Sequence, residues 1–291
     1  MKSVTVFTPT YNRAYCLHQL YESLVRQTAK DFVWLLVDDG STDDTKEKVA
    51  VWQAENKIEI RYIFQQNQGM HGAHNTAYAV IETEFNVCID SDDFMPDDAI
   101  ETILENTKNL EPKFAGLVGL DIDKSGNITG VAIPENLTET TLTDLYRKHH
   151  AYGDKKLVYR TEIVRKYPKY PLFQGENFVP LGYLYALIDK DYVLKPVNKP
   201  LVVVEYLEDG SSKNILRQYR KNPRGFAFVR IEKIKSDAGF KEKFRSATHL
   251  VSGAIFTKDF GLLKQAGNPL LIFLAFPFGL LLNVYIRLKT R

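Results

Sequence analysis

Short apolar runs and helix-period segments take turns along the first hundred residues. SVTVFTP (3–9), DFVWLLVDDG (31–40), IEIRYIFQ (58–65) and FNVCIDSDDF (85–94) are rich in β-branched, aliphatic and aromatic residues, the composition of buried strands. Between them, YCLHQLYESLVRQT (15–28) places Leu17, Leu20, Tyr21, Leu24 and Val25 on one side of a helix. STDDTKEKVAVWQAENK (41–57) reads as a helix capped by Ser41 or Thr42, and GAHNTAYAVIET (72–83) as a third. PDDAIETILENTKNL (96–110) is the fourth, with Pro96 suited to its first turn. Such alternation predicts an α/β fold, a mostly parallel sheet with helices on both faces.

Ligands of such sheets bind outside the carboxyl ends of the strands. The polar stretches 8–13, 38–43, 67–75 and 90–93 each follow an apolar run, so four loops are expected to converge on one rim. Past residue 115 the pattern mixes. FAGLVGLDI (114–122) and GNITGVAIP (126–134) read as strands around a Ser125-Gly126-Asn127 turn, and YVLKPVNKPLVVVEYL (192–207) as another. LTDLYRKHH (142–150) and NFVPLGYLYALID (177–189) read as helices, and from Glu208 onward the chain is basic and helical. The expected division is a domain over 1–205 and an extension over 206–291.

Charge sharpens that division. Residues 1–205 hold 22 Lys and Arg against 30 Asp and Glu; residues 206–250 hold 11 against 5, and residues 251–291 hold 5 against 1. An acidic body with a basic tail suits a tail that meets an anionic surface, with solvated helix faces as the plain alternative. Residues 269–286 contain one polar side chain, Asn283, and Arg287, Lys289 and Arg291 follow. Eighteen residues is the lower edge for a bilayer span, and Pro277 and Gly279 would break or kink a straight one. An interfacial segment, a span and a buried or dimer-forming helix all remain open. The basic flank favours lipid headgroups at the cytoplasmic face. Cys16 and Cys88 show no ligand spacing, and the start lacks the apolar core of a signal peptide, so a reduced, cytosol-facing protein is expected. An acidic body argues against nucleic-acid binding.

The chemistry concentrates at residues 90–93, Asp-Ser-Asp-Asp. Carboxylates so close repel one another unless something cationic fills the gap. No Gly-rich dinucleotide fingerprint or P-loop is present, so an acidic rim would handle phosphate through Mg²⁺ or Mn²⁺, which takes one or two protein oxygens and leaves its other positions to water and phosphate. The plain alternative is that Asp92 or Asp93 caps the following helix.

TPTYNR (8–13), LLVDDGSTDDT (35–45), NQGMHGAHN (67–75) and CIDSDD (88–93), in that order and spacing, resemble the family 2 glycosyltransferases of GT-A fold, the bacterial surface-polysaccharide type. The match is good over the first hundred residues and thinner to about residue 205. It implies transfer of a sugar from a nucleotide-diphosphate sugar, usually a UDP-sugar, with inversion. By the same resemblance Pro9, Thr10 and Tyr11 line the nucleoside pocket, Asp39 accepts from the base, and Asp90 sits near the ribose. Arg13, Gly69, His71, Asn75 and Ser91 complete the donor site, and Asp92 with Asp93 holds the metal. His71 and His74 would stand in the loop that approaches the sugar-phosphate, where Met70 replaces the lysine some members carry. Asp38 and Asp43 suit turns or caps as well as ligand contacts. The acid motif expected to hold the base reads Gly175-Glu176-Asn177, which leaves Glu176 as the candidate base, or a cap. The motif of processive synthases is absent, implying a single transfer to an acceptor expected to be a lipid-linked saccharide. The alternatives are a non-catalytic nucleotide-sugar-binding protein of the same fold and a sugar-phosphate nucleotidyltransferase.

Overall fold

The computed structural model describes residues 2–205, 214–236 and 238–290. The first elements are β1 (Val4–Thr10), α1 (Leu17–Arg26), β2 (Phe32–Asp38), α2 (Thr45–Glu55), β3 (Ile60–Phe64), α3 (Gly69–Val80), β4 (Phe85–Cys88) and α4 (Ala99–Thr107). There follow β5 (Phe114–Ile122), α5 (Leu142–Arg147), β6 (Lys155–Arg160), α6 (Thr161–Val164), α7 (Gly182–Ile188) and β7 (Val193–Val203). The remainder is helical: α8 (Ile215–Lys221), α9 (Pro223–Lys235), α10 (Phe240–Thr257), α11 (Gly261–Gln265) and α12 (Pro269–Lys289). The chain forms two compact units. One comprises Met1–Lys169 with Leu184–Tyr206, the other Tyr170–Tyr183 with Leu207–Arg291. The expected helical start at Glu208 lies outside the described residues.

The first unit carries a seven-stranded sheet in the order β3-β2-β1-β4-β6-β5-β7. β1, β2, β3 and β4 pair in parallel, as the strand–helix alternation predicts. β6 enters antiparallel to both β4 and β5. Every residue of β1 and β2 is buried, which is why their sequences are continuous rather than alternating apolar runs. The core gathers Leu17, Leu20 and Leu24 of α1 against Val4 and Val6, with Tyr21 stacked on Trp52 at 4.6 Å. The chain proceeds outward from β1 to β3 and then returns to β4 on β1's other side. This opens the crevice at their carboxyl ends where such folds bind ligands.

Several local expectations shift. α3 starts at Gly69, so the 67–75 stretch is mostly a helix N-terminus rather than a loop. α2 takes its local cap from Asp43, whose Oδ1 accepts from the Thr45 amide and hydroxyl, and not from Ser41 or Thr42. β4 ends at Cys88, leaving Asp90–Asp93 as a turn closed by the Asp93 amide on the Asp90 carbonyl at 3.1 Å. Pro96 precedes α4 instead of opening it. The buried Gln27 side chain serves that junction, donating to the Pro96 carbonyl and accepting from the Ile100 amide. GNITGVAIP forms only an isolated bridge between Ile122 and Ile128. The helix expected over 177–189 is confined to α7. β6 was not foreseen.

The second unit has its own core, in which Ala227 and Ile231 of α9, Ala247, Leu250 and Val251 of α10, and Leu271, Ile272 and Ala275 of α12 pack together. Of the break or kink expected at Pro277 and Gly279, the break is not there: α12 runs on through Pro277. Gly279 is a point of close approach: a Cβ there would lie 2.4 Å from the Val251 Cβ of α10 and 2.9 Å from the Thr248 carbonyl. Gly279→Leu should therefore cost about 1–3 kcal/mol by overpacking, read as a lower denaturation midpoint, whereas Leu281→Ala on the exposed side should change it little.

Candidate active site

The loops after β1 and β2 are tied together by side chains bonded to backbone. Asn12, in the left-handed region at φ 54°, accepts from the Thr42 amide at 2.8 Å, and its own amide donates to the Ser41 hydroxyl at 2.9 Å. Asp38 accepts from the Ser41 amide and the Tyr62 hydroxyl. Asp43 accepts from the Ala14 amide as well as from Thr45. Burial alone would raise the Asp43 carboxyl, but the bonds from Thr45 and Ala14 outweigh it and hold it below the usual range. Both aspartates are turn and cap residues.

Asp39 is buried at the end of β2. Its Oδ1 accepts from Gln65 Nε2 at 2.7 Å and the Gln68 amide at 2.9 Å, and its Oδ2 from the Gly69 amide at 2.7 Å. A carboxylate at a helix start satisfies amides that have no partner within the helix. Burial raises its pKa, opposed by the bonds from Gln68, Gln65 and Gly69. Gly69 sits at φ 79°, a conformation that glycine adopts without strain. Pro9 and Thr10 are buried at the end of β1, and Tyr11 is half exposed beyond it.

Three buried polar groups near these strand ends lack hydrogen-bond partners: Thr10 Oγ1, Asn67 Oδ1 and both ring nitrogens of His71. Buried polar atoms are ordinarily satisfied, so such a set marks where a ligand could bond. Burial, with His74 nearby, lowers His71 to about 4, so the ring is neutral at physiological pH. His74 packs edge-on against Phe7 and Tyr78, with Nδ1 2.8 Å from the Met70 carbonyl, and is a core residue. Both histidines stand in α3 rather than a loop. Asn75 lies on the same helix and is part-buried.

The 90–93 turn is held from two sides. The Ile89 amide donates to the Phe7 carbonyl, and Phe94 exchanges two backbone bonds with Val203 of β7. Asp93 is buried and accepts from the Glu205 amide at 3.1 Å, so it does not cap α4. The Cys16 thiol bridges toward the Ser91 carbonyl at 3.5 Å, joining the β1 and β4 loops. Burial pushes that thiol up to about 11, with Arg13 and Asp92 acting on it in opposite senses, so Arg13, Ser91 and Asp92 share one place. Both cysteines are free thiols.

A residue not singled out from sequence completes the cluster. Lys156 of β6 pairs with Gly119 of β5, two positions before the Val158–Val87 pair that joins β6 to β4. Burial would lower its ammonium pKa, but Asp121, Asp90 and Asp93 outweigh that and raise it. Burial pushes Asp93 up to about 7, with Lys156 opposing and Asp90 adding, and Asp121 up to about 6. Asp121 Oδ1 has no hydrogen-bond partner. KKLVYR (155–160) shows no regular alternation of polar and apolar residues, and the antiparallel insertion that brings it beside β4 leaves no local sign.

The turn's donor set fits a hard divalent cation. It is all oxygen, Asp92 is part exposed, and Asp93 carries charge its surroundings leave only partly compensated. Among the described residues no group of three or more His, Cys, Asp or Glu could hold a metal ion, so the protein's share would be one or two oxygens. Glu176 lies in the second unit, where its two oxygens accept from the Arg224 and Gly225 amides at 3.0 and 2.9 Å in the first turn of α9. A cavity of about 410 Å³ lined by Lys2, Thr5, Val33 and Arg61 contains none of these side chains.

Residues 5–167 match the profile of glycosyl transferase family 2. The chain is 34% identical over 126 residues to chondroitin synthase of Escherichia coli, covering 43% of this chain and 18% of that protein. It is 31% identical over 132 residues to the GalNAc(5)-diNAcBac-PP-undecaprenol beta-1,3-glucosyltransferase of Campylobacter jejuni, covering 44% of this chain and 41% of that one. The match thus spans less than half the length of either relative. S. aureus TarS 1–349 in complex with UDP-GlcNAc superposes with a TM-score of 0.63 at 19% identity, over 89% of this chain and 73% of that chain. The mannosyltransferase PcManGT from Pyrobaculum calidifontis in complex with GDP-Man and Mn²⁺ gives 0.56 at 18% identity, over 99% and 80%. At such identities the structural likeness speaks to the fold.

Asp93 supplies a pH test. Its folded pKa lies above the unfolded value, so its contribution to stability is full at low pH and lost as pH rises through about 7. Asp93→Asn, which mimics the protonated acid, should raise the metal-free melting temperature by a few degrees at pH 8 and by much less at pH 5. Added Mn²⁺ should stabilise the wild type more than the variant, and a shift independent of pH would contradict the assignment.

Proposed function

The chain belongs to glycosyl transferase family 2, and from that premise we propose that it transfers a single sugar, with inversion, from a UDP-sugar to a hydroxyl of a lipid-linked saccharide in bacterial surface glycan synthesis. The observation that carries the reading is the clamped 90–93 turn beside the β1 loop, which gathers Arg13, Asp90, Ser91 and Asp92 at the crevice. The donor assignment draws on the UDP-GlcNAc and UDP complexes of TarS, and the acceptor on the undecaprenol-linked substrate in the C. jejuni enzyme's name.

In this reading Pro9, Thr10 and Tyr11 border the nucleoside. Asp39 has one lone pair left on Oδ2 for a base N–H, its other bonds being spent on Gln65 and the start of α3. Neutral His71 and Asn75, with Asn67 beside them, offer uncharged hydrogen bonds to the sugar diphosphate. With Met70 uncharged and His71 neutral, the start of α3 brings amides and dipole but no side-chain cation. Positive charge toward the diphosphate then falls to Arg13. Asp92 and Asp93 would hold Mn²⁺ or Mg²⁺, which when bound stabilises the charge developing on the departing UDP. Lys156 keeps Asp90 and Asp93 together by offsetting their repulsion.

Inversion requires the acceptor hydroxyl to lose its proton as its oxygen bonds to the anomeric carbon and the bond to UDP breaks. Glu176 is our candidate for that proton. Its two amide bonds also supply a second reading, that it only caps α9 and that the protein binds nucleotide sugar without turnover.

Two substitutions test this. Asp92→Asn should lower divalent-dependent turnover of a UDP-sugar by about 10²-fold or more while the melting temperature holds. Retained turnover would refute the metal role. Glu176→Gln should cut turnover by about 10²–10⁴-fold if Glu176 is the base. Unchanged turnover with stability reduced by about 1 kcal/mol would make it a cap alone.

A further inference from the structure

By length and composition α12 is the one helix among the described residues able to cross a membrane, yet its packing argues for another placement. Its 21 residues extend about 30 Å, enough for a span. One side is committed to protein along its whole length. Leu271, Ile272, Ala275, Gly279, Asn283 and Ile286 are buried, Gly279 lies against Val251, and Asn283 Nδ2 donates to the Ser252 carbonyl at 3.1 Å. The partner helix α10 carries Lys241, Glu242, Lys243 and Arg245 in its first half and His249 just past its middle. A perpendicular α12 would draw those charges into hydrocarbon or tear open the seam, and either is costly.

Among the described residues the other side is bare. Phe273 is 75% exposed, Leu281 68% and Leu288 59%, and Leu270, Phe278 and Val284 are exposed beside them. Phe244 of α10 meets Phe278 edge-on at 5.5 Å and stacks on Phe240, itself exposed, so the apolar face extends past α12. Arg287 and Lys289 close the last turn. Residues 214–290 hold 14 Lys and Arg against 4 Asp and Glu. Two copies of so basic a unit repel each other, whereas an anionic lipid surface attracts it.

We propose that α12 lies in the plane of an anionic phospholipid surface, with Phe273, Leu281 and Leu288 sunk among the acyl chains and the opposite stripe kept on α10. The proposal deepens the reading above, on which it rests for a lipid-linked acceptor. It makes the protein monotopic, held by one apolar face and the charge around it.

The test uses the full chain with vesicles of phosphatidylcholine alone or mixed with phosphatidylglycerol. Binding should be strong only to the mixed vesicles and fall steeply with salt. Phe273→Asp or Leu281→Asp should weaken it by about tenfold or more without altering the melting temperature. Tryptophan introduced in turn as Phe273→Trp, Leu281→Trp and Leu288→Trp, read against the background of Trp34 and Trp52, should be quenched alike by lipids brominated near the headgroup. Deep quenching at 281 with shallow quenching at 273 and 288 would mean a span and overturn the proposal. So would a concentration-dependent dimer, abolished by Phe273→Asp, in protein that ignores both vesicles. UDP binding by thermal shift on the same samples reports the donor reading separately, so either can fail alone.

Discussion

The structure turns on how negative charge is kept at the carboxyl ends of a parallel sheet. Asp90, Asp93 and Asp121 come together beside Lys156, and burial by itself would drive Asp93 and Asp121 toward protonation. Lys156 offsets their charge from an antiparallel strand, and its own ammonium is favoured by the carboxylates more than burial disfavours it. The compensation is incomplete, since Asp93 and Asp121 still lie above the ordinary range. A site left slightly too negative is suited to a divalent cation and to the phosphates that cation carries. The ammonium makes the cluster compatible with folding, and the remaining charge makes it useful.

Elsewhere on the rim carboxylates act on backbone. Asp38, Asp39 and Asp43 each accept amide hydrogens from loops that would otherwise have unpaired donors. Loops held this way keep their shape without a packed core of their own, which a binding rim needs. The contrast with Thr10, Asn67 and His71 is informative. Most polar groups around them are satisfied internally, and these are not. A neutral imidazole is the form that can remain unpartnered in such surroundings at tolerable cost, which is why burial depresses its pKa.

The second unit poses a different problem, an apolar helix too exposed for a monomer in water. One face of α12 is packed closely enough to need glycine at 279, and among the described residues nothing covers the other. Helix length alone would suggest a span. The seam with a charged α10 is what argues against that placement. The helix runs on through Pro277, and Gly279, two residues further, serves the seam.

The sequence by itself determined the parallel half of the sheet, the order of its elements and the four polar stretches at its rim. β1 and β2 are legible because strands buried on both faces must be continuously apolar, and α1 because a single face of it is buried. The Asp-Ser-Asp-Asp stretch was legible as a charge problem, because repulsion between neighbours in sequence is local. Only the tertiary structure decided who answers that repulsion. Lys156 is sixty-three residues beyond Asp93, on a strand whose antiparallel entry no local pattern announces. It decided too that Asp39 holds α3, that His71 and His74 belong to a helix, and that the cap of α4 comes from Gln27. Propensity and periodicity report which face of an element is dry. Which distant side chain meets it depends on strand order and register, and those are fixed by the packing of the whole sheet.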